Sequence, residues 1–275
     1  MFRELYKYRY LMREIVVKNI KIQYRNSVLG ILWTLLQPLL TTLVLVFIFG
    51  EMFWRSRDYN FPIYVLCGRL LYEFYSQSTK RAMRSLTGSA SVIKKVKMPK
   101  YIYPLANVIS NFVTFMISML VLAGFIAYFL IWPSEKNPAP ALTWNALYAP
   151  IPLFILFLMC IGVGLILSTL AVFFKDIEYL YDVFCMLLFY ATPIIYEVTP
   201  QTKLALQVAL KFNPLYAIVS MFRDCVLYGG ADPARFPGWP FNPNHLLYAL
   251  GCAVALIAIG WLLFWRKQDK FILYI

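Results

Sequence analysis
The 275 residues are 61% hydrophobic and only 14% charged, with 26 Lys and Arg against 13 Asp and Glu. A soluble domain is about half apolar, and here the excess comes in long runs rather than periodic stripes, so the chain is matched to lipid. The net charge of +13 does not point to nucleic acid, because the basic residues cluster in the gaps between apolar runs instead of covering one face.

Residues 3–27, RELYKYRYLMREIVVKNIKIQYRNS, mix basic and bulky apolar residues at helical spacing. Leu5, Tyr8, Met12, Ile15, Val16 and Ile20 share a broad face, while Lys7, Arg13, Lys18, Lys21 and Arg25 fall largely elsewhere. That pattern predicts an amphipathic helix over 1–27 lying in the cytoplasmic membrane interface; a solvated arm is the plainer alternative. The first spanning run, 28–54, is longer than the roughly 20 residues a crossing needs, so tilt or a bend is expected. Pro38 supplies a cause for the bend by withholding one backbone donor.

The second run, 61–78, contains Arg69 and Glu73, four apart on one helix face and so placed to pair. Charges at that depth usually face protein or a water-filled cavity. A basic break follows, with Lys80, Arg81, Arg84 and the segment GSASVIKKVKMPK at 88–100. Further runs occupy 101–132, 144–174 (with Pro150 and Pro152 near its start), 179–195 and 246–265, the last closed by Arg266, Lys267 and Lys270. Between the fifth and sixth, residues 193–240 are too polar to cross yet carry apolar pieces, and Pro193, Pro200 and Pro214 divide the part over 194–228 from what precedes it and into short lengths. Non-helical backbone survives at membrane depth only where protein or water covers it, so this segment is predicted to form re-entrant helices; an ordinary extracellular loop is the alternative. The expected fold is an all-α integral membrane protein, with an interface helix and one transmembrane domain of six spans over 28–275.

Charge fixes the orientation. The segments 1–27, 79–100, 174–178 and 266–275 hold 18 of the 26 Lys and Arg, the opposite side holds 7 and Arg69 lies in a span. The positive-inside rule puts both termini in the cytoplasm, as an even number of spans requires.

Motifs for chemistry are sparse. There is no GxxxxGK[ST], HExxH, GxSxG or DxD, so neither a phosphate-cradling loop nor a familiar hydrolase signature is present. Cys67, Cys160, Cys185, Cys225 and Cys252 are scattered singly and His245 is the only histidine, which predicts neither a disulfide framework nor a metal site. Asp176, Glu178 and Asp182 sit at the cytoplasmic mouth of the fifth run, where a helix cap or salt bridge is the commoner role. Aromatic residues make up 18% of the chain. Many suit interfacial belts, but Tyr72, Phe74, Tyr75, Tyr190 and Tyr196 lie near polar or proline breaks, where ring faces could stack on sugars.

Four stretches together carry a family likeness: YRNSVLGILWTLLQPLL, KKVKMPKYIYPLANV, FFKDIEYLYDVFCMLLFYATPIIY and FNPLYAIVSMFRDCVLYG. In this order and spacing, from about residue 10 to 266, the chain resembles the membrane subunit of an ABC-2-type ABC transporter. Within that family it is most similar to the bacterial polysaccharide exporters for O-antigen, capsule and teichoic acid.

The resemblance implies a homodimer working with two copies of a separate ATPase, which would hold ATP and Mg, so no cofactor is expected on this chain. It implies that the loop around Ser89, Val92, Ile93, Lys94, Lys95 and Met98 docks on that ATPase, with Lys175, Asp176 and Glu178 as a smaller contact. It implies that Trp33, Gln37, Pro38, Tyr190 and Pro193 line the path of the glycan, a role for which Tyr72, Tyr75 and Tyr196 are further candidates. If the glycan travels on a polyprenyl pyrophosphate, Arg25, Lys80, Arg81 and Arg84 could attract the pyrophosphate, although topology-setting charge explains them equally well. The competing functions are an ABC-2 permease for a small drug or lipid, a membrane transferase working without ATP, and a channel or proton-coupled carrier built on Arg69 and Glu73.

Overall fold
A computed structural model describes residues 6–25, 27–50, 59–95, 98–134, 136–196, 210–232 and 236–274. Among these, all regular structure is helical: α1 (Arg9–Tyr24), α2 (Trp33–Phe49), α3 (Phe61–Gly88), α4 (Ala90–Ile93), α5 (Ile102–Ile131), α6 (Pro150–Phe173), α7 (Ile177–Ala191), α8 (Pro214–Val226), α9 (Pro243–Lys267) and α10 (Phe271–Tyr274). Four helical stretches are long and apolar enough to cross a membrane: Gly30–Phe49, Ile102–Ile131, Trp144–Phe173 and Pro243–Lys270.

The second and fifth expected spans are not among those four, for different reasons. α3 is 28 residues long but carries a line of charges that lowers its apolar character. It also runs on to Gly88, ten residues into what the sequence suggests is a basic break. α7 has only 15 residues, because Pro193 keeps the residue before it extended: Thr192 sits at φ −100°, ψ 128°. In the fourth run a 3₁₀ turn, Trp144–Tyr148, precedes the helix. Of the region expected to re-enter, α8 is described, while 197–209 lie outside the described residues.

α3 is the centre of the bundle. Nineteen of its residues are buried, and it packs on α2, α5, α6, α7 and α8. α6 lies between α3 and α9, and its crossing with α9 is close enough that a Cβ at Gly260 would stand 2.6 Å from the carbonyl oxygen of Gly162. Tyr8, Leu11, Met12 and Ile15 of α1 pack on a cluster that includes Leu86, Ile93, Tyr101, Ile102 and Phe264, while Arg13, Lys18, Lys21 and Arg25 are exposed. Helices α3, α8 and α9 begin alike: Asn60, Asn213 and Asn242 accept a hydrogen bond from a first-turn N–H, and a proline sits in each first turn. Asn at the cap and Pro just inside are both favoured because the first turn has unpaired donors.

α2 rests on its neighbours through a narrow seam of Thr34, Pro38 and Thr42. Pro38 has no N–H for the carbonyl of Thr34 four residues earlier. Ser118 of α5 makes good the loss, its Oγ donating to that carbonyl at 3.1 Å. The Thr34 hydroxyl also bonds the Tyr24 hydroxyl at 2.6 Å, so the end of α1, the proline turn of α2 and the middle of α5 meet at one point. Ser118→Ala is expected to lower stability by about 1 kcal/mol, between typical interhelical bonds in bilayers and a fully orphaned carbonyl. In a Pro38→Ala background the carbonyl regains its own donor, and the same change should cost almost nothing. Equal losses in both backgrounds, measured by thermal unfolding in detergent, would show that Ser118 acts only through packing.

Candidate functional site
The nine α3 residues that are not buried are Arg69, Tyr72, Glu73, Gln77, Lys80, Arg81, Arg84, Thr87 and Gly88. They recur every three or four positions, so they share one face, and every side chain on it is polar. An otherwise apolar bundle thus carries one hydrophilic stripe, at the heart of its most buried helix. It is flanked by α2, which packs on α3 and α5, and by α7, which touches α3 and α6 lightly.

Both flanking helices expose apolar surface. On α2, Trp33, Leu40, Leu43, Val44, Phe47 and Ile48 are exposed, as are Ile31 and Leu32 in the turn just before it. On α7 only Tyr181 and Cys185 are buried, while Tyr179, Leu180, Val183, Met186, Leu187 and Tyr190 are open.

What holds α7 to α3 is mostly polar. The Tyr72 hydroxyl donates to the Cys185 carbonyl at 2.7 Å, and the Tyr181 hydroxyl donates to Thr79 Oγ1 at 2.7 Å. Lys80 pairs with Asp182 at 2.7 Å and Arg84 with Glu178 at 2.8 Å. Higher on the stripe, Arg69 Nε meets Glu73 Oε1 at 2.7 Å, the pairing that their spacing predicts. Arg81 turns the other way, donating to Gln23 Oε1 of the α1 helix at 2.8 Å.

The far end of α7 is held by Arg223, which is 4% exposed and is bonded to main-chain carbonyls. Its Nη1 donates to Pro193 at 2.7 Å, Nη2 to Tyr64 at 2.9 Å and to Ile194 at 3.2 Å, and Nε to Tyr64 at 3.3 Å. The guanidinium carbon lies 3.4 Å from the centre of the Tyr64 ring. Pro193 and Ile194 follow the C-terminus of α7, where the helix dipole presents partial negative charge to a cation. Tyr64 reinforces the joint, its hydroxyl donating to the Tyr196 carbonyl at 2.8 Å. Asn213, the cap of α8, donates to Thr192 Oγ1 at 3.0 Å.

Beside the stripe, Glu73, Gln77, Asn111, Thr114 and Ser118 line a small cavity of about 40 Å³ between α3 and α5. Asn111 is 4% exposed, and its Nδ2 has no partner among the described residues. A space of this size with several polar walls suits a single water.

The residues expected to line a path divide into two groups. Trp33, Gln37 and Tyr190 are exposed, and Tyr72 and Tyr196 are half-buried. Pro38, Tyr75 and Pro193 are enclosed within the protomer, so in this conformation they shape helices rather than offer surface. The residues expected to meet an ATPase come together at one end of the bundle. Ile93 is buried under α4 while Val92, Lys94 and Lys95 are exposed. Ser89 and Met98 are half-buried, Met98 Sδ accepting from the Tyr103 hydroxyl at 3.3 Å. Lys175 and Asp176 are exposed nearby, where Glu178 reaches Arg84 close to the end of α3. Of the four basic candidates, Lys80 and Arg84 already hold carboxylates, Arg81 holds a neutral amide and Arg25 is exposed.

Sequence reasoning missed Arg223 and Gln77. The first is a lone cation in an apolar stretch, which was itself a signal, because a cation there needs partners. The second falls in the register set by Arg69 and Glu73 and could have been read from that register.

The model of the family described as ABC-2 type transporter matches residues 10–227. Over 271 residues the chain is 30% identical to an O-antigen export system permease protein of Myxococcus xanthus, covering 98% of this chain and 94% of the relative. A Klebsiella pneumoniae O-antigen export system permease protein is 29% identical over 258 residues, 92% of this chain and 90% of its own length. A polysialic acid transport protein of Escherichia coli is 22% identical over 261 residues, 92% of each chain.

Proposed function
The chain belongs to the ABC-2 type transporter family, and from that premise we propose that it is the permease subunit of an ATP-driven exporter of lipid-linked polysaccharide. It works in the bacterial cytoplasmic membrane as a homodimer, with two copies of a separate ATPase. The reading is supported by relatives named for O-antigen and polysialic acid export that align over nearly the full chain.

The observation that carries it is the α3 stripe. A continuous line of Arg69, Tyr72, Glu73, Gln77, Lys80, Arg81 and Arg84 cannot face hydrocarbon without a large desolvation cost. In this reading the stripe borders a water-filled path, which a second copy closes by meeting the apolar faces of α2 and α7. Trp33, Gln37, Tyr72, Tyr190 and Tyr196 give that path aromatic rings and amides, a surface on which sugars of many sequences can slide.

In this reading α3 and α7 complete six spans. α3 is about 42 Å long at 1.5 Å per residue, ample for a crossing, and α7 with its extension to Tyr196 supplies the fifth. α8 is a re-entrant helix at the outer side, and both termini are cytoplasmic. α1 lies in the inner interface, and α4 with Lys175–Glu178 seats on the ATPase. Closure of the ATPases on ATP pushes α1 and α4, and the two copies shift as rigid bodies to open the path. Arg25 and Arg81, at that same inner end, receive the pyrophosphate of the lipid carrier.

Val92→Asp tests the proposal, because it puts a carboxylate on the exposed seat without disturbing buried packing. The variant should reach the membrane in normal amount, lose association with an ATPase, and cause carrier-linked polymer to build up in the cytoplasmic leaflet. Surface glycan at wild-type level, with no such build-up, would remove polysaccharide export from consideration.

A further inference from the structure
Resting on the export reading, the charges along the path identify the kind of polymer that passes. We infer that the wall is built for a glycan without ionised groups in its repeat unit. Each carboxylate on the described parts of this wall is matched to one cation: Glu73 to Arg69 at 2.7 Å, Asp182 to Lys80 at 2.7 Å and Glu178 to Arg84 at 2.8 Å. Residues 28–50 of the α2 segment contain no ionisable side chain, and Glu178 and Asp182 are the only ones with formal charge between 177 and 196. What remains is Arg81, near the inner end, turned to the Gln23 amide at 2.8 Å.

A polyanion needs a different wall. Pores for anions and phosphates are lined by rings of Arg or Lys whose charge is available to the passing group. A carboxylate already matched to a cation offers a passing anion no net attraction, while the anion still gives up part of its hydration. On the described parts of this wall each lysine and arginine other than Arg81 is paired with a carboxylate, so a uronate, sialate or phosphate finds no cation in excess there.

Sugar hydroxyls meet no such barrier. Gln37, Gln77, Tyr72, Tyr190 and the outward edges of the Arg69–Glu73 pair offer donors and acceptors together, and the rings add stacking faces. The basic residues sit instead at the inner end, where a charged carrier head needs to be held and the chain that follows it does not.

The test is depletion of this protein in its native cell, followed by extraction of carrier-linked polymer and release of the glycan by mild acid. The released polymer is then passed over an anion exchanger at pH 7. A neutral polymer elutes unretained, and this is the expected result. Accumulated polymer that is retained, through uronate, sialate or phosphate in its repeat, overturns the inference and leaves the export reading standing. An absence of accumulated polymer overturns the export reading, and the inference falls with it.

Discussion

Replacing Arg223 by Met is expected to lower stability by about 3 kcal/mol, among the largest effects of any single side-chain change in this chain. The estimate follows from what the guanidinium holds. It donates to the carbonyls of Tyr64, Pro193 and Ile194, and a buried carbonyl left without a donor costs about 1–3 kcal/mol. The Tyr64 carbonyl keeps its place in α3 and Pro193 keeps a long bond of 3.4 Å from the Tyr64 hydroxyl, so the full sum is not lost. Because the hydrogen-bonded partners are dipoles and not a carboxylate, removal breaks no direct ion pair, which separates this site from a broken buried salt bridge.

Lysine should restore less than half of the loss, since its single ammonium cannot reproduce a fork that reaches three carbonyls. Gly68 supplies a second handle on the same joint. A Cβ there would stand 2.6 Å from Arg223 Nη2 and 3.3 Å from the Ile194 Cα. Gly68→Ala should therefore destabilise the native chain strongly and the Arg223→Met chain much less, a non-additivity that marks residues in contact. Thermal unfolding of the four proteins in detergent decides the matter. Additive losses would mean that Gly68 and Arg223 serve separate ends.

The joint also explains how a short, lightly packed helix keeps its place. α7 buries only Tyr181 and Cys185, far too little apolar surface to fix it alone. Polar ties at both ends and the middle hold it instead, by Glu178 and Asp182 at its start, the Cys185 carbonyl midway, and Pro193 and Ile194 just past its end. Polar ties can be exchanged for others or for water with less cost than a packed core can be reopened, which suits a wall that must move when a polymer enters.

Those features differ in how far the sequence revealed them. The long runs at 101–132 and 246–265 correspond to α5 and α9 within a few residues, because apolar length is a local property. The Arg69–Glu73 pair was legible from spacing alone, and Asp182 and Glu178 were legible as salt-bridge candidates. Their partners Lys80 and Arg84 were not, since nothing local says that α7 lies along α3. α3 itself was cut short at 78 because its charges resemble a loop until the buried residues between them, such as Ala82, Met83 and Leu86, are seen to continue the helix. Position near breaks suggests Tyr75 as path wall and the family resemblance suggests Pro193, yet both are enclosed within the protomer, since burial is decided by which helices meet and not by the neighbours in the chain. Arg223 is conspicuous in the sequence, but its partners are not, for the same reason: they are carbonyls 30 and 159 residues away, and carbonyls belong to every residue.

The crossing of α6 and α9 carries the second large prediction. A Cβ on Gly260 would lie 2.6 Å from the Gly162 carbonyl oxygen and 3.2 Å from the Leu165 Cβ. A Cβ on Gly162 would lie 2.6 Å from both the Ile257 nitrogen and the Leu256 carbonyl carbon. These obstacles are backbone atoms, so no side chain can swing aside and the helices themselves must separate. In lipid, close backbone approach through small residues is a main source of helix association, because apolar side chains gain little from leaving lipid for protein. Three of the four buried residues on α9 are small, Ala249, Ala253 and Gly260, with Phe264 the fourth. Gly260→Val and Gly162→Val should therefore each cost more than the about 1–3 kcal/mol of ordinary overpacking, and should leave little folded protein in the membrane. Gly251→Val on the same helix meets nothing within 4 Å and should fold at wild-type level, so a generic intolerance of α9 to valine is controlled. Normal yield and unfolding temperature for Gly260→Val would mean that α9 reaches the bundle by another route. If instead the two crossing variants fail while Gly251→Val folds, α9 is anchored at one backbone contact. The rest of that helix is then free to turn its exposed apolar face to lipid.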